Sequence, residues 1–458
     1  MRPAANPGPE LQPLPAGNPH LVSATPGPDL DAAGYAESEW VFRGRATGYL
    51  ATELPTDGRW VSAAADRAAF ATRLIVRRPR DPSQFSGTVV VEWLNVSSGD
   101  EAAPDYRYLA AEILRRGHAW IGISAQYAGV VGGPATVNVP EAGAAPGGLV
   151  GADPQRYGDL VHPGDRYCYG IMTEVARAVR SPSTTGAPWA DLVVRTLLAV
   201  GESQSAFALT TYCNAVQPWE HAFDGFLIHS RGGAALSLGR PGEPVDLNVD
   251  RLGPATRLRT DLTVPVLVVQ TETDVLSPRL RFLPARQPDT TLLRTWEVAG
   301  SAHADLWQIG EFEPFLGAPD PVNRGQQGYV LRAALRALDR WAHSGEAPPS
   351  AEALQVVDER SFATDDLGNV LGGVRTPAVD VATQVLSGLS SPDAAPIVQL
   401  FGRTLPIPVT ALVARYGTRA EYLAQYAAAT DAGTVAGFLL AEDRDAILAE
   451  ARPDLLPG

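Results

Sequence analysis

The chain has 458 residues, 45% of them hydrophobic, enough to bury one large core or two smaller ones. Its net charge of -14 argues against nucleic acid as a partner. No run approaches the roughly 20 apolar residues that a spanning helix needs, so no membrane span is expected.

Residues 1–30 are rich in Pro, Gly and Ala and read as a flexible tail. They carry no apolar signal core, so a cytoplasmic location is expected. Tyr35 to Leu50 and Phe70 to Arg78 alternate apolar residues, the pattern of an antiparallel edge. Gly87 to Leu94 is a stronger strand, buried on both faces, and it runs into Asn95-Val96-Ser97-Ser98-Gly99. Asp105 is placed to cap a helix whose inner face is Leu109, Ile113 and Leu114, ending at Gly117. Ala119 to Ser124 is the next strand, and strand–helix–strand with buried runs implies a parallel sheet.

Residues 126–164 break the alternation. A stretch so long and so rich in Gly and Pro reads as a lid of ordered coil over the site. Asp165 is placed to cap a helix with Cys168, Ile171, Met172, Val175 and Val179 inside. Cys168 and Cys213 read as small core residues of a reducing compartment. Seven histidines without paired ligand spacing leave no metal site in view, and neither metal nor cofactor is expected.

Leu192 to Val200 reads as a buried strand and Gln204 to Val216 as a helix stopped by Pro218. Ser203 sits where one becomes the other. A strand turning sharply into a helix lifts one side chain out of the fold and requires small neighbours, here Gly201 and Ser205. Further strands are Phe223 to His229, Val264 to Gln270 and Leu292 to Val298, with a second irregular insertion over residues 230–261. The strand at Val264 ends in Glu272-Thr273-Asp274, and the last ends in Ser301-Ala302-His303. Tyr329 to Ala342 is an amphipathic helix, with Gly345 past its end. Residues 31–345 therefore form the core, and 346–458 a mixed, mainly helical extension in which Thr418 and Glu421 make a capping box.

Strand ends thus deliver a serine, a carboxylate and a histidine in that order, and parallel strands bring such ends to one edge. A serine hydroxyl needs an imidazole to take its proton, and the imidazole needs a carboxylate to fix its tautomer. Ser203 is the candidate nucleophile and His303 the base. His162 is its rival, while His118, His229 and His343 read as structural. Asp274 is the candidate acid, with Glu272 the alternative. Gln204, through its backbone N–H, and the loop around Asn95 are the candidate oxyanion donors. Trp93 and Tyr127 are candidate pocket walls.

The order Ser…Asp…His on alternating strands and helices resembles the α/β-hydrolase fold. Glu92-Trp93-Leu94-Asn95-Val96, Gly201-Glu202-Ser203-Gln204-Ser205, Phe223-Asp224-Gly225-Phe226 and Glu272-Thr273-Asp274 resemble a large bacterial and fungal group of α/β-hydrolase domain-containing proteins. The resemblance implies a serine hydrolase. The reading is a carboxylic ester hydrolase acting on a small molecule through an acyl-enzyme. An amidase, an acyltransferase or a non-catalytic ligand-binding protein are the alternatives.

Overall fold

The computed structural model describes residues 9–23, 27–137, 147–181 and 186–457. Two compact units divide the chain: Met1–Ile228 with Ala234–Pro265, and His229–Gly233 with Val266–Gly458.

In the first unit, β2 (Tyr35–Glu53) and β3 (Val61–Pro79) form a long antiparallel pair. The stretch read as a tail contributes β1 (Glu10–Pro13), which pairs with β2. Pro13 is tolerated because an edge strand can spare one N–H. β4 (Thr88–Trp93), β5 (Ala119–Ile123) and β6 (Thr196–Glu202) are buried throughout, and β4 runs parallel to both neighbours. With β7 (Gly225–His229) the order is β1-β2-β3-β5-β4-β6-β7. Continuous apolar runs suit strands covered on both faces. The C-terminal ends of β4, β5 and β6 share one edge, which gathers Asn95, Gln126 and Ser203.

The helix after β4 spans Pro104–Arg116 and closes on Gly117, at φ 71°. Its N-terminus is not capped by Asp105, as the spacing suggests. Asp105 lies in the first turn, and the carboxylate of Glu92 on β4 accepts from the N–H groups of Asp105 (3.0 Å) and Tyr106 (2.8 Å). A carboxylate from a neighbouring strand does the work of a local cap. Asp165 does not cap the Cys168–Arg180 helix either. It opens a short 3-10 turn, and its carboxylate accepts from Tyr127 N–H and Val245 N–H, both at 2.7 Å. One buried acid thereby ties together the two insertions. Cys168, Ile171, Met172, Val175 and Val179 are buried, as their spacing implies, and both cysteines are free thiols.

Within residues 126–164 the described part is not coil. Tyr127–Val131, Gly148–Ala152 and Pro154–Tyr157 are short helices, while residues 138–146 lie outside the described chain. Val130, Leu149, Tyr157 and Leu160 pack with Val41 of β2 and Ala71 of β3. The segment is anchored by a small apolar core, and helices of one turn are too short to show periodicity.

In the second unit, β8 (Val266–Thr271) and β9 (Leu293–Val298) are parallel. The Gln327–Ser344 helix buries Val330, Leu331, Leu335, Leu338 and Trp341 and closes on Gly345 at φ 77°. The region past residue 345 holds two small antiparallel pairs, β10 (Val356–Asp358) with β11 (Ser361–Phe362), and β12 (Gln384–Ser387) with β13 (Arg403–Pro406). Helices Val409–Tyr416 and Arg419–Val435 follow, the second begun by the Thr418–Glu421 capping box. Among the described residues, no helix is long and apolar enough to cross a membrane.

Candidate active site

Ser203 stands between β6 and the Gln204–Thr211 helix with φ 57° and ψ -119°. A non-glycine residue held at positive φ carries strain of order 1–3 kcal/mol, and such strain clusters at functional sites. The turn leaves Ser203 partly exposed between buried Gly201, Glu202, Gln204 and Ser205. A Cβ on Gly201 would stand 3.0 Å from Leu209 Cδ1 and from Ser205 Cβ, a tight fit that favours glycine here. The helix itself passes Pro218. It widens into a π turn at Tyr212–Val216 and resumes over Gln217–Glu220 until His221, at φ 47°. Proline is unfavourable where its missing N–H and its ring meet a tight i−4 bond; Pro218 instead lies at the start of the resumed segment, which tolerates it.

The loop after β4 is tightly bonded. Leu94 N–H donates to Ile123 O (3.2 Å), Asn95 N–H to Ala102 O (2.9 Å), and Ser97 N–H to Asn95 Oδ1 (2.9 Å). The Asn95 side chain donates to Glu202 O at 3.0 Å. The Asn95 N–H is thus engaged in a backbone bridge, and its carboxamide pins the strand just before Ser203. Val96 N–H differs, because it donates to the side-chain Oε1 of Gln204 at 3.1 Å. Gln204 Nε2 in turn donates to Gln126 Oε1, which also receives Trp93 Nε1–H at 2.9 Å. The Gln204 and Gln126 side chains are the participants that sequence reasoning missed; a glutamine beside a candidate nucleophile was the available signal. Trp93 is not a pocket wall. It is fully buried, its indole N–H is satisfied, and its ring packs on Tyr169 at 5.6 Å. Tyr127 is partly exposed, with its ring edge-on to His162.

In the second unit, His303 Nδ1 lies 2.7 Å from Asp274 Oδ1, and both groups are buried. An ionised carboxylate only accepts, so the proton of a neutral His303 resides on Nδ1 and Nε2 keeps a lone pair for a proton. Asp274 is oriented by its other oxygen, which accepts Thr271 N–H at 2.7 Å as part of a capping box on the Glu272–Leu276 turn. Glu272 points elsewhere. Its oxygens accept Gly300 N–H (2.6 Å) and Gly388 N–H (2.7 Å), joining the acid loop, the histidine loop and the C-terminal extension. Burial pushes its carboxyl up to about 7, against the lowering effect of those two donors. Thr273 Oγ1 donates to Gly388 O and accepts His303 N–H at 3.1 Å. Asn323 Nδ2 bonds Gly300 O and Ser387 O from the other side.

His162 is held as a neutral ring. Its Nε2–H donates to Ala125 O at 2.9 Å, its Nδ1 accepts Gly164 N–H at 3.2 Å, and burial lowers its pKa to about 4. With both nitrogens committed it is a structural residue. His118 pairs with Ser86 Oγ at 2.7 Å, His229 is buried at the end of β7, and His343 sits in the last turn of its helix. Among the described residues no group of three or more His, Cys, Asp or Glu gathers as a metal site.

Solved structures similar to this chain include an α/β serine hydrolase without a lid from Xanthomonas campestris. It is 11% identical over 55% of this chain and 83% of its own, with a TM-score of 0.27. A glucuronoyl esterase from Solibacter usitatus is 12% identical over 65% of this chain and 82% of its own, TM-score 0.30. Esterase 2 of Thermogutta terrifontis is 14% identical over 60% and 91%, TM-score 0.31. No curated protein matches the chain. The model of one family, the alpha/beta hydrolase domain, matches residues 9–449, nearly the whole sequence, and with its large, mostly parallel sheet flanked by helices the chain belongs to that family.

Proposed function

We propose that this hydrolase cleaves a carboxylic ester of a small molecule through an acyl-enzyme, with Ser203 as nucleophile, His303 as base and Asp274 as its orienting acid. The observation that carries the reading is the buried 2.7 Å bond from Asp274 to His303 Nδ1, which readies Nε2 to receive a proton. The strained turn at Ser203 supports it. Ser203 Oγ attacks the ester carbonyl and its proton passes to His303 Nε2. The tetrahedral oxyanion is met by Gln204 N–H at the start of its helix and by Val96 N–H, once the Gln204 carboxamide yields that donor. Collapse of the intermediate breaks the C–O bond, and His303 gives its proton to the leaving alcohol. Water, deprotonated by His303, then frees the acid and restores Ser203. The segment 126–164 serves as a lid that shapes the acyl or alcohol pocket.

The test is steady-state hydrolysis of a panel of activated esters, thioesters and anilides by wild type and Ser203→Ala. Esters are expected to be the best substrates, and the variant, folded as wild type, is expected to lose about 10^4-fold or more in kcat. A variant that hydrolyses esters at the wild-type rate would refute the nucleophile.

A further inference from the structure

A cavity of about 250 Å³ lies wholly within the second unit, and none of its lining residues has a part in the chemistry above. Trp307, Tyr329, Tyr422 and Tyr426 give it aromatic walls, with Arg324 and Glu450 among its charged groups. Burial pushes the phenols of Tyr329 and Tyr426 up, so these walls stay neutral donors rather than anions.

Among the described residues, the charged groups lining the cavity are held by hydrogen bonds or ion pairs, with one exception. Glu450 accepts from Tyr329 Oη (2.7 Å) and from Gln326 Nε2 (2.8 Å). Arg332 donates to Asp443 at 3.2 Å and lies over the rings of Trp307 and Tyr329 at 5.3 and 5.0 Å. Arg452 grips Asp454 with two bonds of 2.9 and 2.7 Å. Arg324, half-buried in the cavity wall, makes no hydrogen bond or ion pair among the described residues. The carboxylate that senses its charge, Asp454, is already held by Arg452.

A guanidinium fork without a partner among the described residues, at the side of an aromatic box, presents two complementary surfaces. The fork matches a carboxylate by two parallel N–H···O bonds, and the rings favour offset or edge-on stacking with another ring. We propose that this cavity binds a single-ring aromatic carboxylate, with its ring among Trp307, Tyr422 and Tyr426 and its carboxylate on Arg324. The site is independent of Ser203 and of the ester reading.

Calorimetric titration of the full chain with benzoate tests the site, with benzamide as the neutral isostere. One saturable site is expected, and benzamide should bind about 10-fold or more weakly. Arg324→Ala should weaken benzoate by about the same factor, and Arg324→Lys should recover part of it as a point charge without the fork. Trp307→Ala should weaken benzoate and benzamide alike. Arg324 makes no bond among the described residues, so Arg324→Ala is expected to melt as wild type. Absence of saturation by benzoate, equal affinity for benzamide, or an Arg324→Ala protein that binds benzoate undiminished would each overturn the proposal.

Discussion

Asp274 and Glu272 share one short turn and are both buried, yet they face different partners. Asp274→Asn replaces an acceptor-only group by one that can donate to His303 Nδ1, which favours the wrong tautomer. It should lower kcat by about 10^4-fold with KM little changed, read from ester kinetics. Glu272→Gln should keep most of the turnover, because Glu272 holds loops rather than the imidazole. Its effect is a pH-dependent stability. The Glu272 pKa is raised from 4.5 to about 7 in the fold, so the folded state holds the extra proton between those values. The contribution is fully present below pH 4.5 and is lost as pH rises through 7, by up to about 3 kcal/mol. Melts of wild type and Glu272→Gln from pH 4.5 to 8 should show the wild-type advantage shrinking as pH rises; a constant difference would contradict the assignment. The sequence offers Asp274 as the candidate and Glu272 as the alternative, and only the local geometry separates them. β8 ends at Thr271 and residues 272–276 are helical, so the two side chains diverge by turn geometry.

Buried strands β4, β5, β6 and β8 were legible because continuous apolar runs bounded by polar loops have few other readings. Caps were less so. Asp105 and Asp165 had the right residue type in the right place, and long-range partners claimed the positions or the side chains instead. The clamp from the extension was invisible for the same reason: Glu272 and Gly388 are 116 residues apart, and no local pattern encodes their bond. That clamp makes Gly388 a sensitive position. A Cβ there would meet Ser301 O at 2.3 Å, Glu272 Cβ at 2.5 Å and Thr273 N at 2.8 Å, none of them a flexible chain end. Gly388→Ala should cost about 1–3 kcal/mol in stability and lower kcat by displacing the His303 loop, whereas an alanine at exposed Gly27, where an added Cβ meets nothing within 4 Å, should leave ester kinetics unchanged. The anchored segment 126–164 gives another test. Leu149→Ala, in its small core, should cost about 2–5 kcal/mol if that core melts with the fold. If the segment forms a lid, acyl-length preference should change before the rate on a tiny ester does. A selectivity profile unaltered across acyl lengths would leave the segment a purely structural anchor.

For the whole molecule, chain order and composition carried more than any single motif. The Gly201–Ser205 pattern is short, and its weight came from its place between a buried strand and a helix, with Asp274 and His303 at later strand ends. The family match over residues 9–449 fixes the fold, while the substrate is written in side chains of pockets and loops that no periodicity reveals. The central claim is that Ser203 is a reactive nucleophile, and a fluorophosphonate tests it directly because it bonds to an activated serine hydroxyl far faster than to an ordinary one. Intact-mass and peptide mass spectrometry of the labelled full chain should show one phosphonyl group, located on Ser203, and none on the Ser203→Ala protein. A folded wild-type chain that takes no label, or one labelled at another residue while Ser203 stays free, would contradict it.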